Sequence, residues 1–218
     1  MKKILDNSKT KYYFLFIIIL ISFFRSPYIF LNSRFQSEEG SKYFVYVWEN
    51  GFFKGLFYIE NAAGYFNLIA NILVSISSLI KIEYSPFITV YGSFILILLP
   101  LYLILFRKSL FFDTDLKKYI GLLLVFITPP FVPEVWVVSI SSQIYLCISA
   151  IIILFMVNLK NYQKIINHLI IFIAGFSGVY TCCLLPLFFI NYFFKKNLYN
   201  FINFIILFFS TFMQFYFF

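Results

Sequence analysis

The chain has 218 residues, 62% of them hydrophobic and 12% charged, with a mean hydropathy of +0.90. Soluble domains are about 45–50% apolar and about 25% charged, and so few charges cannot cover so much apolar surface in water, which excludes a soluble domain. The net charge of +8 would raise nucleic-acid binding in a soluble protein. Here the basic residues sit between apolar runs, where membrane orientation accounts for them, so the expected partner is the lipid bilayer and no nucleic acid.

A spanning helix needs about 20 apolar residues to cross about 30 Å of hydrocarbon. Lys2, Lys3, Lys9 and Lys11 precede the first candidate, Tyr12–Leu31, which tolerates Arg25 near its outer end by snorkelling. No small-residue cleavage site follows, so this segment reads as an uncleaved signal-anchor. Pro86–Phe106 is the second span, closed by Arg107 and Lys108. Tyr119–Phe131 begins after Lys117 and Lys118 and runs into Pro129, Pro130 and Pro133. Ser139–Leu159 returns and stops at Lys160 and Lys164. Ile165–Phe194 is long enough for two short helices broken near Gly175–Gly178, ending at Lys195 and Lys196, and Phe201–Phe218 starts a further crossing. The expectation is an all-α, multi-pass transmembrane helical bundle of about seven spans, a single membrane domain over 1–218. Its end inside an apolar run reads as a C-terminal truncation.

With these segments alternating, the basic clusters at the N-terminus, 107–118, 160–164 and 195–196 share one side, which the positive-inside bias makes cytoplasmic. Glu38, Glu39, Glu49, Glu60, Glu83 and Glu134 fall mostly on the other side. The N-terminus is therefore expected in the cytoplasm and the protein in the inner (plasma) membrane.

Residues 25–84 form a long outer loop, and loops of that length are usually functional. Tyr43–Trp48 is an aromatic run suited to the headgroup level. Gly64–Ile80 is apolar except for Asn67, Asn71, Ser75 and Ser78, which a helix aligns in one stripe. If it crossed, Arg107 and Lys108 would move outside, so both segments are placed as interfacial helices. Phe35-Gln36-Ser37-Glu38-Glu39-Gly40 carries two adjacent carboxylates just outside the first span. They are either solvated loop charges or a membrane-proximal general base, one pKa raised by its like-charged neighbour and by partial desolvation. Cys147, Cys182 and Cys183 lie in apolar stretches and His168 is the single histidine, so no metal-ligand spacing exists. No Gly-rich loop of the nucleotide-binding kind is present either.

Taken whole, the arrangement resembles the GT-C superfamily of polytopic glycosyltransferases, in which the first span leads to a long outer loop with an early acid or acid pair and two juxtamembrane helices. It is also similar to a bacterial multi-pass branch resembling these enzymes, whose loop reads Arg-x-Pro, then Phe-Trp-Ala-Glu-Asp-Gly, then Ala-Gly-Tyr. This chain has Arg25-Ser26-Pro27, Phe35-Gln36-Ser37-Glu38-Glu39-Gly40 and Ala63-Gly64-Tyr65, followed by Glu134-Val135, Gln143, Gly175-Phe176-Ser177-Gly178 and Leu184-Leu185-Pro186. It departs from the pattern at Gln36, where the branch has Trp, and at Glu39, where it has Asp.

The resemblance implies transfer of a sugar from a polyprenyl-phosphate donor to a glycan or lipid acceptor hydroxyl on the outer side. Glu38 is then the base and Glu39 a supporting or acceptor-binding acid. Arg34 and Lys42 flank the acids closely enough in sequence to meet the leaving phosphate, and Arg25 sits at the span end near headgroup phosphates; the alternative for each is an interfacial anchor. Asn67 and Asn71 would line the sugar site. No cofactor is implied, and neither the sugar nor a metal requirement is specified. The alternatives are a transporter or flippase for lipid-linked glycans, suggested by the Gly175–Gly178 break, and a non-catalytic membrane subunit.

Overall fold

A computed structural model describes residues 8–60, 64–127 and 136–217. Lys2, Lys3, Ala63, Pro129, Pro130, Pro133, Glu134, Val135 and the far end of Tyr119–Phe131 lie outside the described residues. The chain is mostly helical, and the strand content described is one two-residue hairpin.

In chain order, α1 (Ser8–Arg25) leads through Ser26 into α2 (Pro27–Leu31), Pro27 taking a first-turn position where a missing N–H costs nothing. A π-helical turn (Glu39–Phe44) runs directly into α3 (Val45–Asn50). Gly51, at φ +88°, turns the chain into α4 (Phe52–Gly55). The hairpin follows, β1 (Ile59–Glu60) antiparallel to β2 (Tyr65–Phe66), with Ile59 opposite Phe66 and Glu60 opposite Tyr65. Next come α5 (Leu68–Ser77), α6 (Ser85–Phe106), α7 (Asp115–Ile127) and α8 (Ser142–Leu154). The last part is α9 (Asn161–Phe176), α10 (Val179–Cys182), α11 (Leu185–Lys195) and α12 (Leu198–Phe217).

Length and composition decide which helices can cross a bilayer. α6 has 22 residues, about 33 Å of rise, begins with Pro86 in its first turn and ends at Arg107. α12 is the second helix long and apolar enough. α9 and the segment Val179–Lys195 qualify together, bent by 115° at the break, as a third candidate. The seven crossings expected from sequence are thus not reached among the described residues. α8 has 13 residues and α5 has 10, about 20 and 15 Å, and α1 carries Lys9, Lys11 and Arg25 within its 18 residues. An apolar run marks burial, and it reads alike whether lipid or protein surrounds the helix.

α6 packs on α8, α8 on α9, and α9 on α12, with α1 and α7 against α6 and α11 against α12. Asn167 meets Tyr199 and His168 meets Asn203 near the starts of α9 and α12, while Gly175 abuts Ser210 near their ends. The two helices therefore run parallel. Leu101, Leu105, Leu122, Ile153, Ile171, Phe188 and Leu207 form the main core. Large apolar side chains are nonetheless exposed along the outer faces, among them Phe16, Phe24, Ile95, Leu123, Leu169, Phe194 and Phe212. Water would oppose that surface and lipid does not, so the bundle associates with a membrane.

The bend after α9 has a local cause. Gly178 sits at φ +129°, a conformation costly for any residue with a Cβ. A Cβ there would also collide with the Gln143 side-chain amide.

Candidate functional site

One end of the bundle, where α1 stops and α6 and α8 begin, carries the acid pair. Ser37 holds a left-handed φ of +51°, and Glu39 N–H donates to the Gln36 carbonyl at 3.1 Å. This turn starts the π-helical segment. Neighbouring residues on a helix diverge by about 100°, so the two acids cannot share a direction. Glu38 is exposed and Glu39 is completely buried.

Glu39 ties three elements together. Its Oε1 accepts the Ser139 N–H at 2.5 Å and its Oε2 the Gln36 N–H at 3.2 Å. Burial pushes its pKa above the usual carboxylate range, while bonding from Ser139, Gln36 and Thr89 offsets part of that rise. Because the folded pKa is raised, the folded state binds this proton more tightly than the unfolded chain does. Stability from this group is full below the ordinary value of 4.5 and is lost as pH rises through the folded value. The unfolding temperature should therefore fall as pH is raised from that point, and Glu39→Gln should flatten this part of the profile; a thermal-unfolding series across pH checks both.

Beside the turn lies a second carboxylate. Glu60 on β1 is 5% exposed, receives Lys42 Nζ at 3.2 Å on Oε1 and accepts the Tyr58 hydroxyl on Oε2. Tyr58 stacks on Tyr46 with ring centroids 4.3 Å apart and meets Tyr43 edge-on at 5.1 Å. Burial and the bond to Glu60 push the Tyr58 phenol up, so it stays a donor. Opposite Glu60, the Tyr65 oxygen accepts from Gln143 Nε2 at 3.1 Å. Glu60, Lys42, Tyr43, Tyr58, Tyr65 and Gln143 thus form one polar cluster, and the exposed Glu38 stands at the start of the turn that carries Lys42 and Tyr43.

The other expected residues have different surroundings. Asn67 is 1% exposed; its Oδ1 caps α5 by accepting Ala70 N–H, and its amide donates to the Ile140 carbonyl. Asn71, as deeply buried, donates to the carbonyls of Leu56 and Tyr58. Both amides shape the loop through backbone groups. Arg25 donates to the Phe126 carbonyl at 3.2 Å and lies 4.2 Å over the Trp136 ring. Arg34 is exposed and approaches Tyr28. Of the three expected cations, Lys42 stands in the cluster.

Two features leave no mark in the sequence. Gln214, 148 residues from Phe66, grips its N–H and carbonyl at 3.0 and 2.9 Å and the Gly175 carbonyl at 3.3 Å. Gln214 also borders a cavity of about 260 Å³ whose other walls are Val179, Cys182, Cys183 and Phe215. This apolar slot lies beside the strand residue that follows Tyr65. Among the described residues no three His, Cys, Asp or Glu side chains gather to hold a metal.

Compared with family models, with curated proteins and with solved structures, the chain matches none.

Proposed function

We propose that this protein transfers a sugar from a polyprenyl-phosphate carrier to an acceptor hydroxyl at the outer face of the plasma membrane. The observation that carries this reading is the accessible Glu38 at the start of the turn that carries Lys42 into the cluster with Tyr58, Glu60 and Tyr65. In this reading the N-terminus is cytoplasmic, the chain crosses repeatedly, and the acid cluster faces outward.

Glu38 takes the proton of the acceptor hydroxyl, whose oxygen attacks the anomeric carbon as the bond to the phosphate oxygen breaks. Direct displacement inverts the anomeric centre. The departing polyprenyl phosphate carries the negative charge, which Lys42 is placed to meet. Tyrosine rings and hydroxyls beside it suit the alternating apolar faces and polar edges of a sugar. The apolar cavity at Val179, Cys182 and Phe215 suits the start of the isoprenoid chain. Glu39 takes the supporting role, holding the segment that presents Glu38. The purified protein, incubated with a labelled polyprenyl-phosphate sugar and candidate acceptors, tests the reading through formation of labelled product.

The 115° break between α9 and α10 favours a second reading, movement of a lipid-linked glycan, since broken helices are common in transporters. Transbilayer movement of the labelled lipid without product formation would select it.

A further inference from the structure

The opposite end of the bundle holds an unbalanced concentration of positive charge. Arg107, at the end of α6, is 6% exposed, with its guanidinium 5.9 Å from the rings of both Tyr102 and Tyr162. Its Nε has no hydrogen-bond partner among the described residues. The ion pairs found among those residues are Lys42 with Glu60 and, where the connection that begins at Arg107 enters α7, Lys117 with Asp113; neither includes Arg107. A cation withdrawn from water is costly without a counter-charge, and among the described residues no carboxylate is paired with Arg107, so a bound anion would complement it.

The fold places a cavity next to it. Lys108 and Leu110 bond to Val157 and Phe155, with Ser109 paired to Met156, which fixes the Arg107 segment against the connection between α8 and α9. That connection forms one wall of an opening of about 450 Å³, bordered also by Lys164, Lys195, Asn158, Asn197 and Tyr199. Among the described residues no carboxylate borders it. Lys164 lies in the first turn of α9 and Tyr199 in that of α12. The C-terminal ends of α8 and α11 border the same opening and offset the dipoles of these two N-termini, so the positive character of the cavity comes from Lys164 and Lys195.

We propose that this cavity binds a phosphate group, with Lys164 and Lys195 at its mouth and the Arg107 guanidinium supplying charge from behind. The ligand is either an anionic phospholipid headgroup or a free phosphate. The site is independent of the proposed transfer reaction and stands at the other end of the bundle.

Thermal unfolding of the full chain in nanodiscs at matched ionic strength tests it. Three conditions are compared: phosphatidylcholine alone, phosphatidylcholine with inorganic phosphate, and phosphatidylcholine mixed with phosphatidylglycerol. A gain of about 5 °C near saturation is expected. Gain with the mixed lipid alone identifies the headgroup, and gain with inorganic phosphate identifies the free ion. Arg107→Gln should abolish the gain, as should Lys164→Gln combined with Lys195→Gln, a pair outside the core. Lys117→Gln, a surface lysine on a different segment, should keep it. No gain in either arm, or an equal gain in all variants, overturns the proposal.

Discussion

Glu38→Gln is expected to lower sugar transfer by about 10²–10⁴-fold, the usual contribution of a general base. The amide has the shape of the carboxylate and still accepts hydrogen bonds, but it cannot take a proton at working pH. Glu38 is exposed, so the change costs no packing and the unfolding temperature should be unaltered. The loss should fall on kcat, because in the proposed reaction the tyrosines hold the sugar and Lys42 meets the phosphate, so binding does not depend on the proton acceptor. Glu38→Asp should recover part of the rate, since it restores a base one methylene short of its position. Undiminished transfer by Glu38→Gln would remove this residue from the mechanism.

Glu39→Ala should produce the opposite pattern, a large loss of stability. The carboxylate occupies both the Ser139 and Gln36 N–H groups, and leaving such donors unsatisfied in a buried place costs about 1–3 kcal/mol each. The vacated space adds to this. A total of about 3–5 kcal/mol corresponds to a fall of roughly 10 °C in unfolding temperature for a chain of this size. Glu39→Gln should fall between the two, because one oxygen still accepts while the new NH₂ opposes a backbone N–H. Thermal unfolding in detergent reads both. If Glu39→Ala unfolded at the wild-type temperature, the acid would not be a clasp between these segments.

The parts of the fold legible in sequence are those governed by local chemistry. α6 is an uncharged, largely apolar run between Glu83 and Arg107, and the bend at Gly178 follows from a residue able to take φ +129°. The helix over Leu68–Ser77 and its asparagine stripe are legible too, but the partners of those amides are not. Asn71 reaches carbonyls on the preceding turn, which only the packed loop brings near. Sequence overstates the span count because α8, apolar enough to suggest a crossing, is a short helix enclosed largely by its neighbours.

At the candidate site, the acid pair itself is conspicuous. Which acid turns inward depends on the left-handed Ser37, an unusual choice for a residue with a Cβ. The Lys42–Glu60 pair joins positions 18 residues apart through the hairpin, and Gln214 reaches Phe66 across 148 residues. Neither carries a local signature. Arg107 reads as one of several basic residues at a membrane edge, and its burial, which Lys118 shares, has no local signature.

The sidedness of Glu38 tests the central claim most directly, since the proposed reaction has the lipid-linked donor and the acceptor meeting the protein from outside. A Glu38→Cys variant in a background with Cys147, Cys182 and Cys183 replaced by serine would be treated, in intact cells, with a membrane-impermeant maleimide. The account predicts labelling without permeabilisation. Labelling that appears only after the membrane is opened would place the acid cluster in the cytoplasm and contradict it.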